Sequence, residues 1–353
     1  MNVLFLTQSG QAGPSSRYRV YQLLSSLREA GIQCTVSPAI SDALYTEIYR
    51  QGIRGARRTA FFQTWCTRKT DLARLNDFDA VFVQKGVFPG LYAGFEKQIS
   101  HRKPIIFDFD DAIWLPREGG SPILRALHRD SSVQSILRCA SAIIAGNNFL
   151  ADYAHQFNTR VTVIPSAIDL THYPAVSSFS PPSSPLSLPT VGWIGSRTTL
   201  PYLKPLAPVF QKLGVKPRVI ASGDPSSLGF DYDFRQWKLE SELDELSQIS
   251  IGIAPLPDTP WERGKCGVKV LQYMANGIPV VASSVGVHKE MIRHGENGFL
   301  ASTTDEWIQS LRSLIADADL RARIGAAGQK LVEERYSLQQ IAPQVAQIIL
   351  RAP

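Results

Sequence analysis

Two lysines and two glycines in the second half of this 353-residue chain are spaced to hold an anion. Gly264 and Gly267 precede or open a stretch, residues 267–276, with helical character. The first backbone N–H groups of a helix have no partner within it, so a phosphate can accept from them. Lys265 and Lys269, one helical turn apart, are expected to share a face beside that site and add cationic charge, with Cys266 between them. In the first half, Asp108, Asp110 and Asp111 follow the apolar run 105–107. Carboxylates there are costly to bury unless they are paired or turned to a ligand. Such residues can orient hydroxyls; they can equally cap loops and helices. The turn from Gly10 to Arg17, with Gly13, Ser15 and Ser16, joins a strand-like run to a helix expected from about Tyr18 to Ala30. It lacks the Gly-x-Gly-x-x-Gly spacing, which argues against a dinucleotide-dependent dehydrogenase. A third group lies between Tyr45 and Leu75, where Arg50, Arg54, Arg57, Arg58, Arg68, Lys69 and Arg74 face only Glu47 and Asp71, with Phe61, Phe62 and Trp65 among them. If residues 50–74 are helical, they offer a basic, aromatic face to an anionic membrane; a plain solvated helix is the alternative, and Gly52 and Gly55 count against the helix.

Elements that would position these groups are legible as apolar runs. Val3–Leu6, Ala80–Val83, Ile105–Phe107, Ala142–Ala145 and Val161–Ile164 alternate with helical stretches, as do Thr190–Ile194, Arg218–Ala221, Ile251–Ala254 and Pro279–Ala282. The alternation predicts parallel sheets covered by helices. Between them, residues 174–189 are rich in Pro and Ser, a composition suited to a linker. We therefore expect an N-terminal Rossmann-like domain at 1–173, a second doubly wound domain at 190–335, and a terminal helix at 336–353 that packs back on the first. The carboxyl ends of the strands in the two domains are expected to line a central cleft, where open α/β sheets bind ligands.

Composition narrows the classes. A hydrophobic fraction of 44% with 19% charged residues is globular, and no apolar run approaches the roughly 20 residues of a membrane span. With no signal-like N-terminus, a cytoplasmic location is expected. The four cysteines are scattered, without Cys-x-x-Cys or a neighbouring His at ligand spacing, so neither disulfides nor structural zinc are expected. A net charge of +6 favours an anionic partner.

The run from Gly264 to Ala282, with Gln272-Tyr273-Met274-Ala275-Asn276-Gly277-Ile278-Pro279-Val280-Val281, resembles the donor-site signature of the family 4 (group 1) retaining glycosyltransferases. Their usual form is Glu, seven residues, Glu, then Ala-Met-Ala-x-Gly-x-Pro-Val. Gly286-Val287, Gly295-Glu296-Asn297-Gly298-Phe299-Leu300 and Val191-Gly192-Trp193-Ile194-Gly195-Ser196 resemble other landmarks of the family, as do Phe107 to Trp114 and Ile164 to Asp169 in the first half. The resemblance implies a GT-B fold and transfer of a sugar, with retention, from a UDP- or GDP-linked donor to an acceptor it does not specify. It implies no cofactor and no metal, because basic residues and helix dipoles neutralise the leaving diphosphate in such enzymes. Nucleic acid is not an expected partner; peripheral contact with the inner face of an anionic membrane, through residues 50–74, stays open beside the plain solvated helix.

Carried over by residue, Asp110 aligns with a His that lies near the reacting sugar in relatives, which makes Asp110 and Asp111 the catalytic candidates. Gly195, Ser196, Arg197, Gly264, Lys265, Cys266, Gly267, Lys269 and Gln272 are the donor and diphosphate candidates. Gly13, Ser15, Ser16 and Arg17 correspond to an acceptor-side loop. Two departures stand out: Gly264 and Gln272 occupy the positions of the two signature glutamates, and Glu262 lies two residues short of the first. Gln272 retains an amide able to bond ribose hydroxyls. The basic pair after the entry glycine is also missing, with Ser196 in one place and Pro201 or Tyr202 in the other. These losses leave open a noncatalytic GT-B paralogue that binds a nucleotide-sugar or a protein, or a nucleotide-sugar epimerase.

Overall fold

A computed structural model describes residues 1–48, 55–88, 94–115, 130–173, 189–223, 225–226 and 228–352. The expected linker at 174–189 therefore lies almost wholly outside the described residues, as do Arg50 and Arg54. The chain divides into two compact units: Met1–Ala167 with Thr259–Cys266 and Leu338–Pro353, and Ile168–Asp258 with Gly267–Ser337.

The first unit is built on a six-stranded parallel sheet of order β2-β1-β3-β4-β5-β6. Its strands are β1 (Asn2–Thr7), β2 (Gln33–Pro38), β3 (Ala80–Gln84), β4 (Ile105–Phe109), β5 (Ala142–Ala145) and β6 (Val161–Val163). Side chains alternate across a strand, and here both faces are apolar. Leu4, Leu6, Val81, Val83, Ile105, Phe107, Phe109 and Ile143 fill one core. Val3, Phe5, Ala80, Phe82, Ile106 and Ile144 fill the other. Phe5 sits opposite Phe82 in the register, their rings stacked with centroids 5.0 Å apart. The second core is closed by the helix Leu338–Arg351, whose Leu338, Ile341, Ala342, Val345, Ala346 and Ile349 recur at helical spacing and are buried.

The second unit repeats the scheme with the order β12-β11-β10-β7-β8-β9. Here the strands are β7 (Val191–Gly195), β8 (Arg218–Ala221), β9 (Asp233–Gln236), β10 (Ile251–Ala254), β11 (Val280–Ser283) and β12 (Phe299–Ala301). Helices Ala207–Leu213 and Thr304–Ala316 cover one face. The latter opens with a reciprocal cap between Thr303 and Glu306.

Three details differ from the sequence reading. The helix expected from Tyr18 begins at Pro14, with Gly13 as its cap residue, so Ser15, Ser16 and Arg17 are helical rather than in a loop. Pro at the first helical position loses no needed N–H and has its φ preset, which explains the early start. The strand expected to stop at Phe107 continues to Phe109, which puts Asp108 inside the sheet. Finally, the helix of the basic segment starts after Gly55 and runs Ala56–Ala73.

Candidate functional site

All strands of the first unit are parallel, so the segments leaving β1, β3 and β4 gather at one edge of the sheet. The side chains meeting there come from four places in the sequence. Ser15, in the first turn of the helix after β1, donates from Oγ to Asp110 Oδ2 at 2.6 Å. Lys85, just past β3, donates from Nζ to Ser15 Oγ at 2.7 Å, forms an ion pair with Asp110 Oδ1 at 2.8 Å, and also contacts Asp111 Oδ2. Lys265 Nζ reaches Asp111 Oδ1 at 2.5 Å. Burial works against the Lys85 ammonium, but Asp110 and Asp111 outweigh it and hold its pKa above the usual lysine range. Burial likewise disfavours the Asp111 anion, and the Lys265 and Lys85 charges hold its carboxyl well below the ordinary range. Asp111 is thus held ionised, and both aspartates have a fixed aim.

Asp108 is not part of this cluster. Strand alternation turns it to the opposite face from Phe107 and Phe109, where it meets the buried Arg19. Arg19 contacts both carboxylate oxygens, and its Nη1 donates to Ile164 O at 2.8 Å. Burial opposes the guanidinium charge, and Asp108 more than restores it. The three aspartates read as one group are therefore one structural ion pair and one site pair.

Lys85 and Arg19 escaped the sequence reading. Lys85 alone among the described non-glycine residues has a positive φ, +60°. Such a conformation costs about 1–3 kcal/mol and persists where surroundings over-determine it. The surroundings do so here. Gln8 Nε2 donates to Gln84 O and Gly86 O at 3.0 and 2.7 Å, Val87 N donates to Glu96 Oε1 at 2.7 Å, and Arg68 Nε donates to Val87 O at 2.8 Å. A charged residue followed by Gly86 at a strand end was the available signal.

Arg68 belongs to this clamp and not to the basic surface. It is fully buried, paired with Asp71 at 2.9 Å, and donates to the Ser37 and Thr7 carbonyls. Of the same segment, Arg57, Arg58 and Lys69 are exposed, and so are Phe61, Phe62 and Trp65 at 51, 68 and 43%.

Around residue 264 the chain explains a lost glutamate. A Cβ at Gly264 would lie 2.8 Å from Ala112 Cβ and 2.9 Å from the Ala112 nitrogen, so no side chain fits. Glu262 accepts from Thr259 Oγ1 and is buried. Asn147 holds the loop, donating from Nδ2 to Lys265 O at 3.0 Å while its Oδ1 caps the helix Asn148–His155. Cys266 offers no accessible thiol: it is buried, its Sγ donates to Asp110 O at 3.4 Å, and burial pushes its pKa up. Ser16 is buried with Oγ donating to Gln84 Oε1 at 2.9 Å, and the buried Arg17 guanidinium lies 4.8 Å from the Tyr18 ring centroid. Gly13 is a close-approach position, since a Cβ there would fall on Ser9 Oγ.

In the second unit the site is framed by glycines. Gly267, at φ +68°, caps the helix Val268–Ala275. The helix therefore begins after Lys265, and the expectation that Lys265 and Lys269 share a helical face fails: Lys265 sits with the first unit's aspartates, Lys269 in the second unit. Lys269 Nζ lies 4.4 Å above the Trp193 ring and 3.2 Å from Thr199 Oγ1. Gly195 permits this approach, because a Cβ there would lie 2.4 Å from the Trp193 ring and 2.8 Å from Lys269 Nζ. Ser196 Oγ is 2.9 Å from Thr198 Oγ1, and the exposed Arg197 lies across Gly223 at the end of β8, its backbone nitrogen bonded to Ser222 Oγ at 3.3 Å. His288, not anticipated, is buried beside Ser283 O at 3.0 Å; burial, with the Lys269 charge adding to it, pushes it down to about 4, so its imidazole is neutral.

Gln272 uses its amide inside the protein: Nε2 donates to Glu242 Oε1 at 3.1 Å.

Comparison with known proteins agrees with this frame. Residues 231–317 match the family described as Glycosyl transferases group 1. A stretch of 72 residues, 20% of this chain, is 35% identical to the GDP-Man:Man(3)GlcNAc(2)-PP-Dol alpha-1,2-mannosyltransferase of Dictyostelium discoideum and spans 13% of that protein. Among solved structures, sucrose-phosphate synthase from Thermosynechococcus elongatus aligns with a TM-score of 0.73 at 16% identity, covering 99% of this chain and 98% of that one. The HepE protein of Anabaena, solved in complex with UDP-glucose, aligns with a TM-score of 0.73 at 17% identity over 99% of both chains. At such identities these likenesses establish the fold, GT-B. The matched segment, residues 231–317, is similar to the group 1 glycosyltransferases.

Proposed function

We propose that this chain transfers a sugar, with retention of configuration, from a UDP- or GDP-linked donor to a glycan, a lipid-linked glycan or a small molecule. The observation that carries the reading is the coincidence of the family match with the glycine-opened helix at Gly267 and with Lys269 beside Gly195. UDP-glucose in the HepE structure and GDP-mannose in the name of the Dictyostelium enzyme support a nucleotide-sugar as donor. In this reading Gly195, Ser196, Arg197, Gly267 and Lys269 receive the diphosphate, and charge on the leaving group is absorbed by cations and helix N–H groups, without a metal. Asp110 and Asp111, held in place by Lys85 and Lys265, orient hydroxyls of the reacting sugars.

We retain the division into an acceptor-side domain at 1–173 and a donor domain at 190–335 as part of the proposal. The helix Ala56–Ala73, with Arg57, Arg58, Lys69 and the exposed aromatics, would rest on an anionic membrane from the cytoplasmic side. A noncatalytic paralogue is the second reading, favoured by the loss of both glutamates at 264 and 272.

Titration with UDP and GDP, followed by transfer assays over a donor panel, tests the scheme. Asp110→Asn is expected to reduce turnover about a hundredfold while leaving nucleotide affinity within about twofold, the pattern of an interaction made in the transition state. Nucleotide binding without turnover on any donor would favour the paralogue.

A further inference from the structure

Position 272 carries an amide where the family carries an acid, and the structure shows what faces it. Gln272, Glu242 and Trp237 are all buried. Gln272 Nε2 donates to Glu242 Oε1 at 3.1 Å, and Trp237 Nε1 donates to Glu242 Oε2 at 2.7 Å. Trp237 is itself tied to the sheet through its backbone nitrogen, which donates to Ala221 O at 2.9 Å beyond the end of β9. The Glu242 carboxylate is thereby fixed on both oxygens. An amide has its donor and acceptor on opposite branches, so turning Nε2 to Glu242 turns Oε1 away. That oxygen accepts no hydrogen bond from any described residue.

We propose that Glu242 is a positioning residue for the nucleotide: it holds Gln272 so that the carbonyl, not the NH2, is offered to hydroxyl donors, for which the ribose of a nucleoside diphosphate is the fitting chemistry. The inference rests on the donor reading above. The carboxylate that position 272 lacks has moved to position 242, and the two positions are coupled. A glutamate at 272 would bring two buried carboxylates to the spacing now spanned by one hydrogen bond, where both cannot ionise.

The test uses Gln272→Glu, Glu242→Gln and the double variant, titrated with UDP and GDP by calorimetry at mildly alkaline and mildly acidic pH. Gln272→Glu is expected to weaken nucleotide binding about tenfold or more at alkaline pH and to recover in acid as the pair takes up a proton. The double variant, which exchanges acid and amide, is expected to return to within about threefold of the parent, a coupling only linked positions show. Should Gln272→Glu not fold, Glu242→Ala frees the amide to rotate and carries the same expected loss. A parent chain that binds neither UDP nor GDP overturns the donor reading and this proposal with it. A parent that binds, alongside a Gln272→Glu variant that binds equally well or a double variant no better than the singles, overturns the positioning role alone.

Discussion

The two candidate regions are built from opposite materials. At the edge of the first unit, the site consists of long charged side chains locked into one another: Lys85, Lys265, Asp110 and Asp111, with Ser15 between. In the second unit, glycines let other side chains close in on the backbone: a Cβ at Gly195 would meet Trp193 and Lys269, one at Gly223 would meet Arg197, and one at Gly267 would meet Met291. Groups locked in ion pairs keep their geometry and charge but cannot travel to a ligand. A backbone without side chains lets cations such as Lys269 and Arg197 lie close against it, beside a helix N-terminus whose N–H groups an anion can share. The first material suits orientation, the second suits capture.

The largest expected effect breaks the first region. Lys85→Met leaves Asp110 without the cation at its Oδ1 and should lower stability by about 3–5 kcal/mol, the scale for removing one partner of a buried ion pair, measured by urea denaturation. A loss below about 1 kcal/mol would mean that the cluster is solvated in the manner of a surface pair.

Acid should next separate the units by sign. Burial raises Glu96 to about 7, so the folded first unit holds that proton more tightly than the unfolded chain does, and its stability rises as pH falls from about 7 toward 4.5. Burial and Lys269 push His288 down to about 4, so there the unfolded chain binds the proton first, and stability is lost as pH falls from about 6.5 toward 4. Each contribution is about 3 kcal/mol at most, and the two nearly cancel in the parent. Glu96→Gln should uncover a stability that falls in acid, and His288→Gln one that rises; parallel pH profiles for the two variants would refute the assignment.

Lys269→Ala sharpens the comparison from the other side. It should weaken UDP or GDP binding by about 2 kcal/mol, as expected for a charge-assisted contact, with little loss of stability. Unchanged affinity would reduce Lys269 to a cation resting on Trp193. Smallest is the effect of Phe62→Ser, expected to cost about 1 kcal/mol in sedimentation with anionic vesicles and nothing with neutral ones.

What was legible in the residues follows the same divide. The glycine-framed region announces itself as a linear order, Gly195 then Gly264, Gly267 and Gly277-Ile278-Pro279, because backbone geometry is set by neighbours in sequence. Central strands were legible because both their faces are buried and the runs are apolar. The strands that escaped, β2, β9 and β12, all lie at sheet edges, and the first two show it: β2 carries Gln33 and Ser37, β9 carries Asp233, Arg235 and Gln236. The charged cluster was only half legible. Asp110 and Asp111 stood out, but Lys85 is one of many lysines until the sheet brings residues 15, 85, 111 and 265 to one edge. Arg68 misled for the converse reason: composition counts its charge without knowing that four carbonyls and carboxylates have already claimed it.

The helix Leu338–Arg351 completes a core whose other walls are Val3, Phe5, Leu24, Leu27 and Phe82. During synthesis, those residues leave the ribosome some three hundred residues before their last partner does. The second unit, except for the return of Gly267–Ser337, has no such debt to the chain's end. The first unit must therefore wait, with an apolar sheet face uncovered, until residues 338–351 have been made, and that interval is when a chaperone would have most to hold.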